Sequence, residues 1–104
     1  MTSLLTIVMA VLIQVATPVP MQSTSYTYTG NNMANGQWPA YGYVACNALP
    51  LGTQIYVKEL NDIFIVGDRI GHSSDLDIFL ETYQEAIQYG RQNVSIYPLD
   101  TYNK

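Results

Sequence analysis

The chain has 104 residues, 48% of them hydrophobic and only 12% charged, with a formal net charge of −4. That length suits one domain, and that composition suits a folded chain rather than a disordered one. Four basic residues are too few for the positive footprint that nucleic-acid binding needs, so nucleic acid is excluded as a partner.

Residues 1 to 20, "MTSLLTIVMAVLIQVATPVP", contain an apolar core of thirteen residues, Leu4 to Ala16, followed by Pro18 and Pro20. A bilayer-spanning helix needs about 20 apolar residues, whereas a shorter run suits the apolar region of a signal peptide. We therefore expect residues 1–22 to be a signal peptide or a membrane anchor. Cleavage near Thr17 or Ser23 would release the chain, and an uncleaved leader would be its one contact with a membrane. The competing reading is an internal hydrophobic strand or helix. No Lys or Arg precedes the apolar run, and every charged side chain lies at Lys58 or beyond.

Residues 23–100 form the expected domain and 101–104 a polar tail. "TSYTYT" (24–29) alternates as a strand should, and "GNNMANGQWP" (30–39) is a loop. "YGYVAC" (41–46) is a second strand and "NALPLGT" (47–53) a turn. "QIYVKEL" and "IFIVGD" read as a hairpin around Leu60-Asn61-Asp62, because both runs are β-branched and aromatic. In "DLDIFL" (75–80), period-two alternation puts Leu76, Ile78 and Leu80 on one face and Asp75, Asp77 and Phe79 on the other. Thr82 and Glu85 then have the spacing of a capping box, Ala86 and Ile87 give the helix an apolar side, and Gly90 stops it. "NVSIYPL" (93–99) is the last strand. Several short strands with one helix predict a mainly β fold, a small six-stranded closed barrel.

Cys46 is the only cysteine, so no internal disulfide can form and the domain must rely on apolar burial. It reads as a small buried apolar residue. One Cys and one His cannot make a structural zinc site, and neither metal nor cofactor is expected.

Chemistry concentrates in "VGDRIGHSSDLDIFL" (66–80), which holds Asp68, Asp75 and Asp77. Carboxylates converging from two strands can leave one acid protonated, and an Asp pair in a sugar cleft is the usual equipment for cleaving a glycosidic bond. The alternative is that Asp68 bonds backbone N–H groups at a strand end or pairs with Arg69.

"YGYVACNALPLGTQIYV", "VGDRIG", "LDIFL", "EAIQYG" and "VSIYPL", in this order over roughly residues 26 to 99, resemble the three-aspartate (3D) domain family. Its members are small double-psi β-barrels of the kind found in membrane-bound lytic transglycosylase A and related to rare lipoprotein A. The resemblance implies a double-psi barrel acting on peptidoglycan glycan strands as a lytic transglycosylase, with no cofactor. Asp68 matches the second family aspartate and Asp77 the third, which implies that Asp77 is the general acid with Asp68 beside it. Asn47 stands where the first aspartate should be. It cannot titrate but can donate a hydrogen bond, so it either orients Asp77 or marks a site without activity. Asp75 has no family counterpart. The reaction implied is cleavage of the MurNAc–GlcNAc β-1,4 bond without water, giving a 1,6-anhydro sugar.

Asn35, Gly36 and Trp38 of the 30–38 loop, and Tyr41 and Tyr43 flanking Gly42, are the remaining candidates for glycan contact, alongside Asn47 and Asp75. For Trp38 and the tyrosines the competing role is packing. His72 reads as a solvated loop residue that can modulate the charge of the site. The expectation is an extracytoplasmic monomer, secreted or tethered at the envelope, with peptidoglycan as partner. A barrel that binds glycan or a protein partner without catalysis is the alternative.

Overall fold

The computed structural model describes residues 17–99. The apolar run up to residue 16, expected as a leader, and the polar tail therefore lie outside the described residues. The rest is a mainly β chain: strands β1 (Val19–Tyr26), β2 (Tyr43–Ala45), β3 (Gln54–Val57), β4 (Asp62–Asp68), β5 (Leu76–Phe79) and β6 (Gln92–Leu99), with one helix, α1 (Tyr83–Tyr89). The six strands close into a barrel in the order β1-β5-β2-β4-β3-β6.

Two pairings, β1 with β5 and β2 with β4, are parallel, and the other four are antiparallel. Exchanging β1, β2 and β3 with β4, β5 and β6 maps this set of pairings onto itself. The pairing pattern of the chain is thus two-fold symmetric, and the closed six-stranded barrel is the one expected. The pair β2 with β5 opposes Ala45 to Asp77. Its flanking strands, β1 and β4, end at Tyr26 and Asp68. The topology therefore gathers Tyr26, Asp68 and Asp77 at one place.

The interior is filled by Met21, Val44, Cys46, Ile55, Val57, Phe64, Val66, Leu76, Ile78, Val94 and Ile96. They alternate along their strands as inward positions must. Truncating the largest, Phe64, to alanine would cost about 3–5 kcal/mol. Cys46 is buried and free, as expected. All four residues of β5 are buried. Leu76 and Ile78 enter the core, while Asp77 and Phe79 face outward beneath neighbouring segments. Phe79 is covered by edge-on contacts from Tyr26 and Tyr28.

The hairpin joining β3 to β4 turns at Asn61, whose φ of 51° and ψ of 48° are left-handed. Asn tolerates this region where most side chains do not. Helix α1 carries the full capping box: Thr82 Oγ1 accepts from Glu85 N and the Glu85 carboxylate accepts from Thr82 N. Its carbonyl at Ala86 accepts from Ser25 Oγ at 2.7 Å, tying it to β1.

The first strand differs from expectation. It begins at Val19 rather than Thr24 and stops at Tyr26, leaving Thr27–Thr29 outside it. Val19 to Ser23 pair with Ile96 to Gln92 of β6 and so close the barrel. Met21 and Ser23 point inward, and buried Ser23 is satisfied by the Tyr89 hydroxyl and the Gln92 carbonyl.

Candidate functional site

At the end of the barrel where β1 and β4 terminate, a cleft of about 310 Å³ opens, lined by Ser25, Tyr26, Thr29, Ala45, Asp68, Arg69, Ile70, Gly71, His72 and Asp77. This volume is at the small end of ligand-binding clefts. Both Asp68 and Asp77 line it. They come from different strands, Asp68 from the end of β4 and Asp77 from the middle of β5.

Asp77 is buried, at 7% exposure, and each of its carboxylate oxygens has one partner. Thr24 Oγ1 lies 3.0 Å from Oδ1, and His72 Nε2 lies 3.1 Å from Oδ2. Thr24 reaches Asp77 because the parallel β1–β5 register sets the two side by side. Asp68 is less buried and holds loops together. Its Oδ1 accepts from Ala34 N and from Arg69 N, both at 2.9 Å, and its Oδ2 accepts a long 3.4 Å bond from Tyr26 Oη. Burial, reinforced by the charges of Asp68 and Asp77, pushes the Tyr26 phenol far above its ordinary range. Tyr26 is therefore a neutral hydrogen-bond donor at the cleft floor.

Asn47 does not contact Asp77. Its side-chain amide donates to Ile70 O and accepts from Ile70 N, each at 2.9 Å, copying a strand-like pairing. Arg69 makes no ion pair with Asp68 or Asp75; its guanidinium donates to the carbonyls of Cys46 and Leu49. Asp75 lies outside the cleft, where its Oδ2 accepts from Gln22 N at 2.9 Å. Tyr41 packs edge-on against Phe64 and donates to Asp62, at the start of β4, away from Asp68. Tyr43 donates to Gln37 Oε1. Its ring lies against Gly67, where an added Cβ would meet Tyr43 Cδ1 at 2.7 Å and Asn35 Nδ2 at 3.0 Å. Asn35 braces the loop by donating its N–H to Gly67 O and accepting Gln37 N on its side chain. Gly36 occupies the turn with φ of 89°.

Trp38 is 55% exposed and stacks on Tyr28, itself 46% exposed, with ring centroids 6.1 Å apart. Tyr28 precedes the cleft residue Thr29 in the chain. The cleft presents carboxylates, hydroxyls and an imidazole.

Thr24, Ser25, Tyr26 and Thr29 belong to the site although the sequence did not assign them there. His72 is an exposed loop residue, as expected, and its ring nitrogen lies 3.1 Å from the Asp77 carboxylate. The "GHSSD" stretch held a signal, a histidine five residues before a strand aspartate, but the closing of the loop over β5 is a tertiary fact. No family model matches the chain, and no curated protein matches it.

Proposed function

We propose that this barrel acts on peptidoglycan outside the cytoplasmic membrane, as a lytic transglycosylase of the three-aspartate type. One observation carries the reading: Asp68 and Asp77, from β4 and β5 on either side of β2, line a single open cleft. The acid–base function resides at its Asp77 end, where the side chain is shielded from water yet adjoins the cavity. In the reaction a proton passes from the site to the glycosidic oxygen as the C1–O bond breaks. The muramyl C6 hydroxyl then attacks C1 and returns its proton to the site. One acid–base centre can serve both steps, because the proton lost is regained. Inverting hydrolysis would require a second carboxylate to activate water. Asp68, with Oδ1 already accepting two backbone N–H groups, is suited to supporting the loops rather than to that task. Trp38 and Tyr28 would stack a neighbouring sugar ring.

A second reading is favoured by Asn47, which stands where an acid would be and is bonded to the Ile70 backbone instead: a barrel that binds glycan without cutting it. Digestion of purified sacculi followed by mass analysis of soluble muropeptides separates the two. Anhydro-muropeptides from wild type, lost in Asp77→Asn, support the enzyme. Co-sedimentation with sacculi and no soluble product support the binder, and the absence of both sedimentation and product rejects both readings.

A further inference from the structure

Asp77 is poorly placed to meet a substrate by itself. Its side chain is 9% exposed, whereas that of His72 is 53% exposed. Both carboxylate oxygens already have partners, Thr24 on one side and His72 on the other. His72 lines the cleft, and its Nδ1 has no hydrogen-bond partner among the described residues.

The loop that carries His72 is fixed on both sides of it. On one side Arg69 holds the carbonyls of Cys46 and Leu49, and Asn47 brackets Ile70 through both its donor and its acceptor. On the other, Ser74 Oγ donates to Gln22 O, and Asp75 and Gln22 exchange bonds, Asp75 N to Gln22 O and Gln22 N to Asp75 Oδ2. Asn47 and Asp75, neither of which touches Asp77, thus share one effect: they set the position of His72. Such bracing is what a group that must meet a reacting atom requires.

We infer that His72 is the proton-carrying group that meets the glycan, and that Asp77 is the buried carboxylate that orients it and balances its charge. This rests on the glycan-cleaving reading. The logic is that of an acid-oriented histidine: a carboxylate fixes one ring nitrogen so that the other works. The imidazolium Nδ1–H gives its proton to the glycosidic oxygen while the C1–O bond breaks and its electron pair stays on the departing sugar. The neutral Nδ1 then takes the proton of the C6 hydroxyl as that oxygen bonds to C1. One C–O bond is broken, one is formed, and the imidazolium is restored without water. The Nε2–H to Asp77 bond persists throughout.

His72 is the chain's only histidine, so ring nitrogen-15 spectra of the whole protein report on it alone. The neutral ring in wild type should carry its hydrogen on Nε2, and in Asp77→Ala it should relax to the tautomer mixture of a free histidine side chain. His72→Ala should release anhydro-muropeptides at least about 100-fold more slowly, the scale of general acid–base catalysis. It should sediment with sacculi as wild type does, and added imidazole should restore part of its rate. A merely structural histidine would not be rescued in this way. A His72→Ala rate within tenfold of wild type, no rescue by imidazole, or a wild-type ring already in the free mixture overturns the proposal and leaves the glycan-cleaving reading standing. No product from wild type refutes that reading and the proton transfer with it, while a locked tautomer in the same sample would show that the pair itself exists.

Discussion

Replacing Thr24 by valine keeps a β-branched side chain of nearly the same shape on β1 but removes the hydroxyl that faces Asp77. That hydroxyl has three acceptors in reach: Asp77 Oδ1 at 3.0 Å, Ser74 Oγ at 3.1 Å and Leu76 O at 3.4 Å. It has one proton, and the carboxylate is both the nearest acceptor and the strongest. Asp77 is only 7% exposed, so water cannot readily take the place of the lost donor. A hydrogen bond to a charged group is worth about 1.5–3 kcal/mol, and a buried acceptor left without its donor costs a similar amount. Thr24→Val should therefore lower the unfolding free energy by about 2 kcal/mol. For a domain of this size that is a fall of roughly 8–16 °C in Tm. Urea denaturation should show an earlier midpoint with an unchanged slope, since the exposed surface is the same. A double-mutant cycle with Asp77→Asn, which keeps an acceptor but loses the charge, should return a coupling of about 1 kcal/mol. Thr24→Val within about 0.5 kcal/mol of wild type, the range of an ordinary surface change, would refute the claim that β1 holds the carboxylate.

Gly67→Ala should cost about 1–3 kcal/mol by overpacking, because its Cβ would press on Tyr43 and Asn35. Chemical denaturation measures this, and Tyr43→Ala in the same chain should recover part of it. Arg69→Met should release the turn after β2 and speed hydrogen exchange at Gly52 and Thr53, while Lys at this position, a point charge instead of a fork, should only partly restore protection. Burial pushes the Glu59 carboxyl up, but hydrogen bonds from Ser95 N and Oγ and the charge of Lys58 outweigh it and leave it below its ordinary value of 4.5. Its stabilising effect is thus present above that value and lost as pH falls through the lower folded-state value. Wild type should exceed Glu59→Gln in denaturation midpoint at neutral pH, and the two should converge in acid. At the alkaline end the sign reverses: with its phenol raised by burial and by Asp68 and Asp77, Tyr26 stabilises the fold below its ordinary value of 10.0, an effect lost as pH rises toward the folded-state value. Tyr26→Phe should remove that alkaline loss.

What could be read from the sequence was local. The β3–β4 turn at Asn61, the Thr82–Glu85 capping box and the alternation of Leu76 and Ile78 against Asp77 and Phe79 each depend on residues within a few positions. Short-range physics decides such features before the rest of the chain is considered. The start of β1 was hidden because Val19 to Gln22 continue the apolar leader in composition. The strand's inward Ser23 looks like a surface residue until Tyr89 and Gln92 arrive from the far end of the chain. The site was half legible. The clustering of Asp68 and Asp77 could be read, but their setting could not. Thr24 meets Asp77 only through a parallel register between residues 53 positions apart. Asn47 and Asp75 were drawn toward the site by their chemistry, and Arg69 was read as a partner for Asp68. The structure engages them with backbone groups of neighbouring segments, and the residue they frame is His72.

Water enriched in heavy oxygen offers the most direct measurement of the central claim. Sacculi digested by wild type in that solvent should yield soluble fragments whose muramyl ends are anhydro sugars carrying no heavy oxygen. Heavy oxygen at newly formed reducing ends, or the same fragments released by Asp77→Asn as by wild type, would contradict it.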